Sequence, residues 1–332
     1  MPHMRPATLL VILLTLLVTV YVPAQTAAGQ PAASDPLLKQ VEQIAATHHG
    51  QVSVFAKALK TGQTIALKAD EPVQTASVIK LGLLYEAMEQ IRAGKAHWDD
   101  KVVLTKDNQT NGSGVLGFFD TPATLTLKDV LSMMVITSDN TATNVAIDKI
   151  GLDGVNAEMG KLGLKNTWLY KKIGKPANYS MPPDQKKFGL GKTTAREMAT
   201  LMERIVTCQL GDGAAPPTES DRAICGVALH MLRSQFYRDG VPRYLEPVDS
   251  SEEGSAIANK TGALDTVRND VDAIATKNGL LILSIFTWDN KDQSWTDDNE
   301  AYLTTANIAK AIVNTWSPEG LDVKAFEIAG TK

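Results

Sequence analysis

The segment Thr75-Ala-Ser77-Val-Ile-Lys80 places a hydroxyl and an amine three residues apart, where an apolar helix should begin. Positions three apart share a helix face, so the Lys80 amine can reach the Ser77 oxygen. A serine hydroxyl is a poor nucleophile until a base takes its proton. A lysine among apolar neighbours and other cations has its pKa pushed down, which leaves part of it a neutral base. A helix N-terminus also offers backbone N–H groups to a forming oxyanion. Alone the word is weak, because a helix cap followed by a surface lysine reads the same way. Two further words follow in order, Ser138-Asp139-Asn140 and Lys260-Thr261-Gly262. The last, taken alone, is a plain turn. Together they carry more, because each has a distinct setting: the first opens a buried helix, the second joins two helices, and the third closes a strand.

The elements that must hold these words can be read from periodicity. Leu37, Leu38, Val41 and Ile44 fall at helical spacing before Gly50. "QVSVFAKAL" and "TIALKA" alternate around "KTGQ" and predict a β-hairpin. Residues 77–92 are apolar on most sides and predict a buried helix. A helix-rich middle follows, with Thr126 as a cap and an aspartate in the first turn. Residues 164–192 read as a long irregular loop, and "TTAREMATLMERIVT" as another capped helix. "GSAIANKTG", "RNDVDAIATK" and "LLILSIFTW" predict three adjacent strands before a final helix, "NEAYLTTANIAKAIVNTW". Neither β region is large enough to stand alone. The expectation is therefore an α+β fold, an α/β/α sandwich. Its one antiparallel sheet combines the N-terminal hairpin with the three C-terminal strands, with the terminal helices on one face and an all-helical section on the other. Residues 1–24 are expected as a leader, 25–35 as a flexible linker and 36–332 as the catalytic domain, with a helical subdomain of roughly 77–235 inserted.

Ser-x-x-Lys, Ser-Asp-Asn and Lys-Thr-Gly in this order resemble the penicillin-recognising serine enzymes. "GSGVL" (113–117), "TLTLKDVLSMMVITSDNTATNVAID" and "NKTGALDTVRNDVDAI" resemble class A β-lactamases and the broader class A-like serine hydrolases. The resemblance runs from about Leu37 to Trp316. It implies Ser77 as nucleophile and Lys80 as its base. Ser138 would pass a proton to the leaving nitrogen, and Asn140 would hold Lys80 and the substrate amide. Lys260 and Thr261, with Gly262 beside them, would bind the substrate carboxylate, with Arg268 as a helper. The N–H of Ala263 would be the second oxyanion donor. Asp139 would be structural.

One departure stands out. Class A enzymes carry a Glu-x-x-Leu-Asn word in the loop before the "TTAREMA"-like helix, and its glutamate activates the deacylating water. The loop here, 164–192, contains no glutamate; Asp184 is its only acid, among seven lysines. Counting back by the family interval lands near Asn178, which can position a water but not take its proton. Asp184 is then either a substitute base or a solvated charge paired with Lys186 or Lys187. The resemblance implies a β-lactamase working through an acyl-serine. The alternatives are a penicillin-binding or sensor protein that acylates without efficient release, and a cell-wall D,D-peptidase or esterase.

Composition bounds the rest. With 332 residues, 44% hydrophobic and 21% charged, the chain has room for a real core. A net charge of −4 gives no footprint for nucleic acid or an anionic membrane. Arg5 followed by an apolar run from Ala7 to Val22, then Val22-Pro23-Ala24, reads as a secretory leader, since the run is shorter than the ~20 residues a spanning helix needs. The expected location is secreted or periplasmic, with no stable membrane insertion after cleavage, and the expected state is a monomer. The expected partner is a small-molecule β-lactam or peptidoglycan-derived substrate. No cofactor is expected, because the three words supply nucleophile, base and anion site. Without Cys-x-x-Cys or His-Glu-x-x-His, metal chemistry has little support. Cys208 and Cys225 are either a disulfide or two buried thiols.

Overall fold

A computed structural model describes Met1 and residues 35–177, 182–245 and 254–327. The expected leader and most of the linker, and Asn178, lie outside the described residues. The chain from Asp35 onward forms one compact unit.

Its centre is a five-stranded antiparallel sheet built from both ends of the chain. The strands run in the order Thr64–Leu67, Gln51–Ala58, Gly279–Trp288, Val267–Thr276 and Ile257–Leu264. The N-terminal hairpin joins the C-terminal strands through one long pairing, with Val54 opposite Ile285 and Gln51 opposite Trp288. The pleat then sorts side chains to two faces. Val54, Ile257, Ile274, Leu283 and Ile285 pack against Leu37 and Val41 of the first helix (Pro36–Ala46) and Ile308 and Ile312 of the last (Glu300–Trp316). Phe55, Val271, Ala273, Ile282 and Phe286 face the middle section. This is the expected sandwich, and burial on both faces explains why the Val267–Thr276 strand is buried at every position.

The middle section contains the helices Lys80–Arg92, Leu127–Ile136, Asn140–Ile150, Leu152–Lys161, Ala195–Val206 and Glu219–Arg233. It was expected as all helix, but it also carries two small sheets. Lys101–Leu104 pairs with Ala123–Thr126, and Val73–Gln74, Gly191–Thr193 and Trp168–Leu169 form a three-stranded ribbon. In Lys101–Leu104 burial alternates, with Val102 and Leu104 inward, so a short strand satisfies this apolar pair where no helix stripe is available. The ribbon positions the site, because the Thr75 N–H extends it by donating to the Gly191 carbonyl at 3.0 Å.

Cys208 and Cys225 are joined in a disulfide, with Cα atoms 5.6 Å apart. It ties the chain just beyond the Ala195–Val206 helix to the middle of Glu219–Arg233.

Candidate active site

Ser77 does not start an α-helix directly. Ala76–Ile79 forms a 3₁₀ turn, and the α-helix follows from Lys80. The tighter turn arises because Ala76 takes the left-handed region (φ 45°), which redirects the chain out of the ribbon. The Lys80 N–H donates back to the Ser77 and Val78 carbonyls, so Ser77 and Lys80 lie on one continuous turn. Two contacts fix the turn from the sheet. The Asn269 amide donates to the carbonyls of Gln74 (2.9 Å) and Thr75 (3.2 Å). Gly262 lies so close that a Cβ there would fall 2.8 Å from the Ser77 nitrogen and 2.8 Å from the Thr75 oxygen. The Lys-Thr-Gly strand and the Ser77 turn therefore touch backbone to backbone, which only glycine allows.

Ser138 also has a left-handed backbone (φ 54°), a conformation costing roughly 1–3 kcal/mol that persists only where surroundings impose it. The surroundings here are two lysines. Lys80 Nζ lies 2.6 Å from the Ser138 carbonyl, 3.1 Å from Ser138 Oγ and 3.1 Å from Asn140 Oδ1. Lys260 Nζ lies 3.0 Å from the same Ser138 Oγ and 2.8 Å from the Thr261 carbonyl. Both lysines are fully buried. Burial, reinforced by the charge of Lys260, holds the Lys80 amine well below the usual lysine range, against the pull of Asp139. Burial likewise lowers Lys260, to about 7, against the opposing charge of Asp270.

Asp139 acts on the backbone. Its carboxylate accepts from the N–H groups of Val115 (2.6 Å), Leu116 (2.8 Å) and Ala142 (2.8 Å), capping the Asn140–Ile150 helix and pinning the 113–116 loop against it. Gly114, at φ 95°, is in the one conformation that leaves room for that carboxylate. Ser113 Oγ then donates to the Ser138 carbonyl at 2.7 Å, and Asn140 donates to the Asn111 carbonyl at 3.1 Å.

A cleft of about 1000 Å³ opens above this floor, lined among others by Ser77, Ser138, Asn140, Thr261 and Ala263. The three words thus converge in space across 183 residues of chain from Ser77 to Lys260. Lys80 and Lys260 lie buried behind the cleft, and Gly262 packs beneath it.

Two expectations on neighbouring residues change. Arg268 does not line the cleft. Its guanidinium is buried, donates to the carbonyls of Leu264, Val267 (2.9 Å) and Ser294 (2.8 Å), and lies under the rings of Trp295 and Tyr302. Asp184 does not line it either. It accepts from the Tyr170 hydroxyl and from Lys192, both at 2.7 Å. Lys192, rather than Lys186 or Lys187, is its partner and holds its carboxyl below the usual range. The loop instead presents Lys171, Ile173, Gly174, Phe188, Gly189 and Leu190 to the cleft. Ile173 is gripped by Asn144, whose side chain accepts from the Ile173 N–H (2.8 Å) and donates to its carbonyl (3.0 Å). The acids that do line the cleft, Asp239, Asp265 and Asp297, come from outside this loop. Asn144, Asn269 and the aromatic wall were absent from the sequence reading. The Asn144 signal was available: it lies on the Asn140–Ile150 helix one turn beyond Asn140 and points to the same side.

Residues 36–316 match the model of a family described as the beta-lactamase enzyme family. A β-lactamase of Bacillus licheniformis is 23% identical over 304 residues, which cover 87% of this chain and 89% of that protein. A solved β-lactamase from Sphaerobacter thermophilus superposes with a TM-score of 0.69 at 27% identity, covering 84% of this chain and 96% of that one. PBP-A, solved also as a penicillin-G acyl-enzyme complex of a variant, has the same fold, with a TM-score of 0.68 at 21% identity over 84% of this chain and 95% of that one.

Proposed function

The chain belongs to the β-lactamase enzyme family and is a serine β-lactamase-type hydrolase, and we propose that it opens the lactam ring through an acyl-Ser77 intermediate. The observation that carries this reading is the pair of buried lysines on one serine hydroxyl at the floor of the cleft.

A neutral amine has two N–H groups and one lone pair. For Lys80, the Ser138 carbonyl and Asn140 Oδ1 are pure acceptors and take the two N–H groups. The lone pair is left for the hydroxyls, which is the arrangement of a general base. Lys80 takes the Ser77 proton as Oγ attacks the lactam carbonyl carbon, and the N–H groups of Ser77 and Ala263 stabilise the oxyanion. The C–N bond breaks, and the ring nitrogen takes its proton from Ser138 Oγ, which is reprotonated by the Lys80 ammonium. Protonated Lys260 with Thr261 holds the substrate carboxylate, and Asn140 orients the amide side chain. Water then hydrolyses the ester and releases Ser77.

One observation supports a second reading, in which the acyl-enzyme is long-lived. The loop brings no carboxylate to the cleft, and Asp184 is tied to Tyr170 and Lys192. Intact-mass measurement over hours after one equivalent of benzylpenicillin separates the two. An adduct on Ser77 that vanishes with turnover supports the lactamase, a full and persistent adduct supports the binding or sensor protein, and no adduct overturns both. Hydrolysis of D-Ala-D-Ala peptides or simple esters in place of lactams would mark a D,D-peptidase or esterase.

The apolar run 7–22 supports export to a secreted or periplasmic location. Among the described residues, no helix is long and apolar enough to cross a membrane.

A further inference from the structure

Three of the large apolar side chains left exposed on the described surface, Phe236, Leu264 and Trp295, line the same cleft as Ser77. Scattered exposed apolar side chains need no explanation, but a group around one mouth points to a ligand surface. Trp295 is 64% exposed and yet fixed in place. Its indole N–H donates to Asp265 at 3.2 Å, and its ring lies 4.5 Å from the buried Arg268 guanidinium. Arg268 is itself held by backbone carbonyls and stacks on Tyr302 at 5.3 Å. An aromatic face that is exposed and already immobilised loses little entropy when a ligand covers it. Phe236 is 75% exposed, stands edge-on to Tyr237 at 5.8 Å, and its N–H donates to the carbonyl of Ile136, two residues before Ser138. Phe236 therefore sits close in the chain fold to Ser138, and Trp295 lines the same cleft from the Asp265 and Arg268 side.

We propose that Trp295, which shares the cleft lining with Phe236, is the specificity-determining surface of this cleft, an aromatic platform for a flat aromatic substituent on the leaving-group side of the lactam. This rests on the acyl-Ser77 reading and deepens it. Arg268 is a positioning residue here. It aligns the indole from beneath rather than meeting the substrate, and the carboxylate falls to Lys260 and Thr261.

The test uses two cephalosporins with the same acyl side chain, one bearing methyl and the other an arylthio group at ring carbon 3. Acylation of Ser77 is followed by rapid-quench mass spectrometry. A stacked aromatic contact corresponds to a preference approaching about tenfold in kcat/KM for the aryl compound. Trp295→Ala should remove the preference, chiefly through KM, and Trp295→Phe should keep most of it. Arg268→Lys retains the charge without the planar stack, and should lower the ratio partway. Because each variant is scored by a ratio of two substrates, partial misfolding cancels. Equal rates for the two compounds in the unaltered protein, or an undiminished ratio in Trp295→Ala, overturn the proposal. Absence of label from both compounds overturns the acyl-Ser77 reading instead.

Discussion

Lys80 and Lys260 approach the same oxygen, Ser138 Oγ, at 3.1 and 3.0 Å, from opposite ends of the sequence. Burial, reinforced by the charge of Lys260, holds the Lys80 amine well below the usual lysine range, whereas burial alone lowers Lys260, to about 7, against Asp270.

Ser77→Ala should abolish covalent labelling by a fluorescent penicillin. Lys80→Met, similar in size but without a lone pair, should slow acylation by about 10²–10⁴-fold, the usual range for a positioned general base. Undiminished labelling of the Ser77→Ala protein on gels would end the nucleophile assignment.

The pH response follows from the lowered lysines. Lys260 in the free enzyme loses its proton near pH 7, so KM for an anionic lactam should rise as pH climbs through that value. Folded Lys260 gives up its proton near 7 while the unfolded amine holds it to about 10.5, so the unfolded chain binds more protons across that window. Stability therefore rises with pH between these values, and below 7 the full burden of a buried ammonium remains. Lys260→Met should raise the Tm at pH 6 while weakening substrate binding, and a lower Tm with native circular dichroism would contradict the argument.

The cleft-facing loop makes a second kinetic prediction. Asp184→Asn should weaken the Tyr170–Lys192 clamp without changing deacylation, because its carboxylate does not line the cleft. Ile173→Glu places a carboxylate where Asn144 already fixes the backbone, and should speed loss of the penicillin adduct by about 10²-fold or more. Time-resolved intact mass reads both variants, and a slower release in Asp184→Asn with none gained in Ile173→Glu would reverse the assignment.

Gly262→Ala should damage both folding and catalysis. The added Cβ meets backbone on each side at 2.8 Å, where no side chain can rotate away, so a destabilisation of about 1–3 kcal/mol is expected. Acylation should fall with it, because the atoms displaced include the Ser77 backbone nitrogen, the proposed oxyanion donor. Wild-type labelling rates and urea midpoint would show that the contact is not tight.

The sheet and its two flanking layers were legible because they rest on periodicity, and the convergence of the three words was legible only through the family resemblance they carry. What was not legible depends on register and side-chain direction between remote segments. The guanidinium of Arg268 turns away from the cleft because Trp295 and Tyr302, more than 20 residues further along, roof it. Asn178 falls outside the described residues, and the loop's grip on the site is made at Ile173, by an asparagine on another helix. Counting along an irregular loop could not find that contact. The disulfide stayed open for the same reason, since spacing alone does not give the approach of the Ala195–Val206 and Glu219–Arg233 helices.

The central sheet draws adjacent strands from residues 51–58 and 279–288, so its longest pairing closes a loop spanning most of the molecule. Such non-local pairing cannot form before the C-terminal strands have been synthesised. A ribosome that has released only the first two-thirds of this polypeptide has produced Ser77 but neither Ala263 nor the edge strand that packs against the Ser77 turn. On the proposed mechanism, the nascent protein should therefore be chemically silent toward lactams until translation is nearly complete.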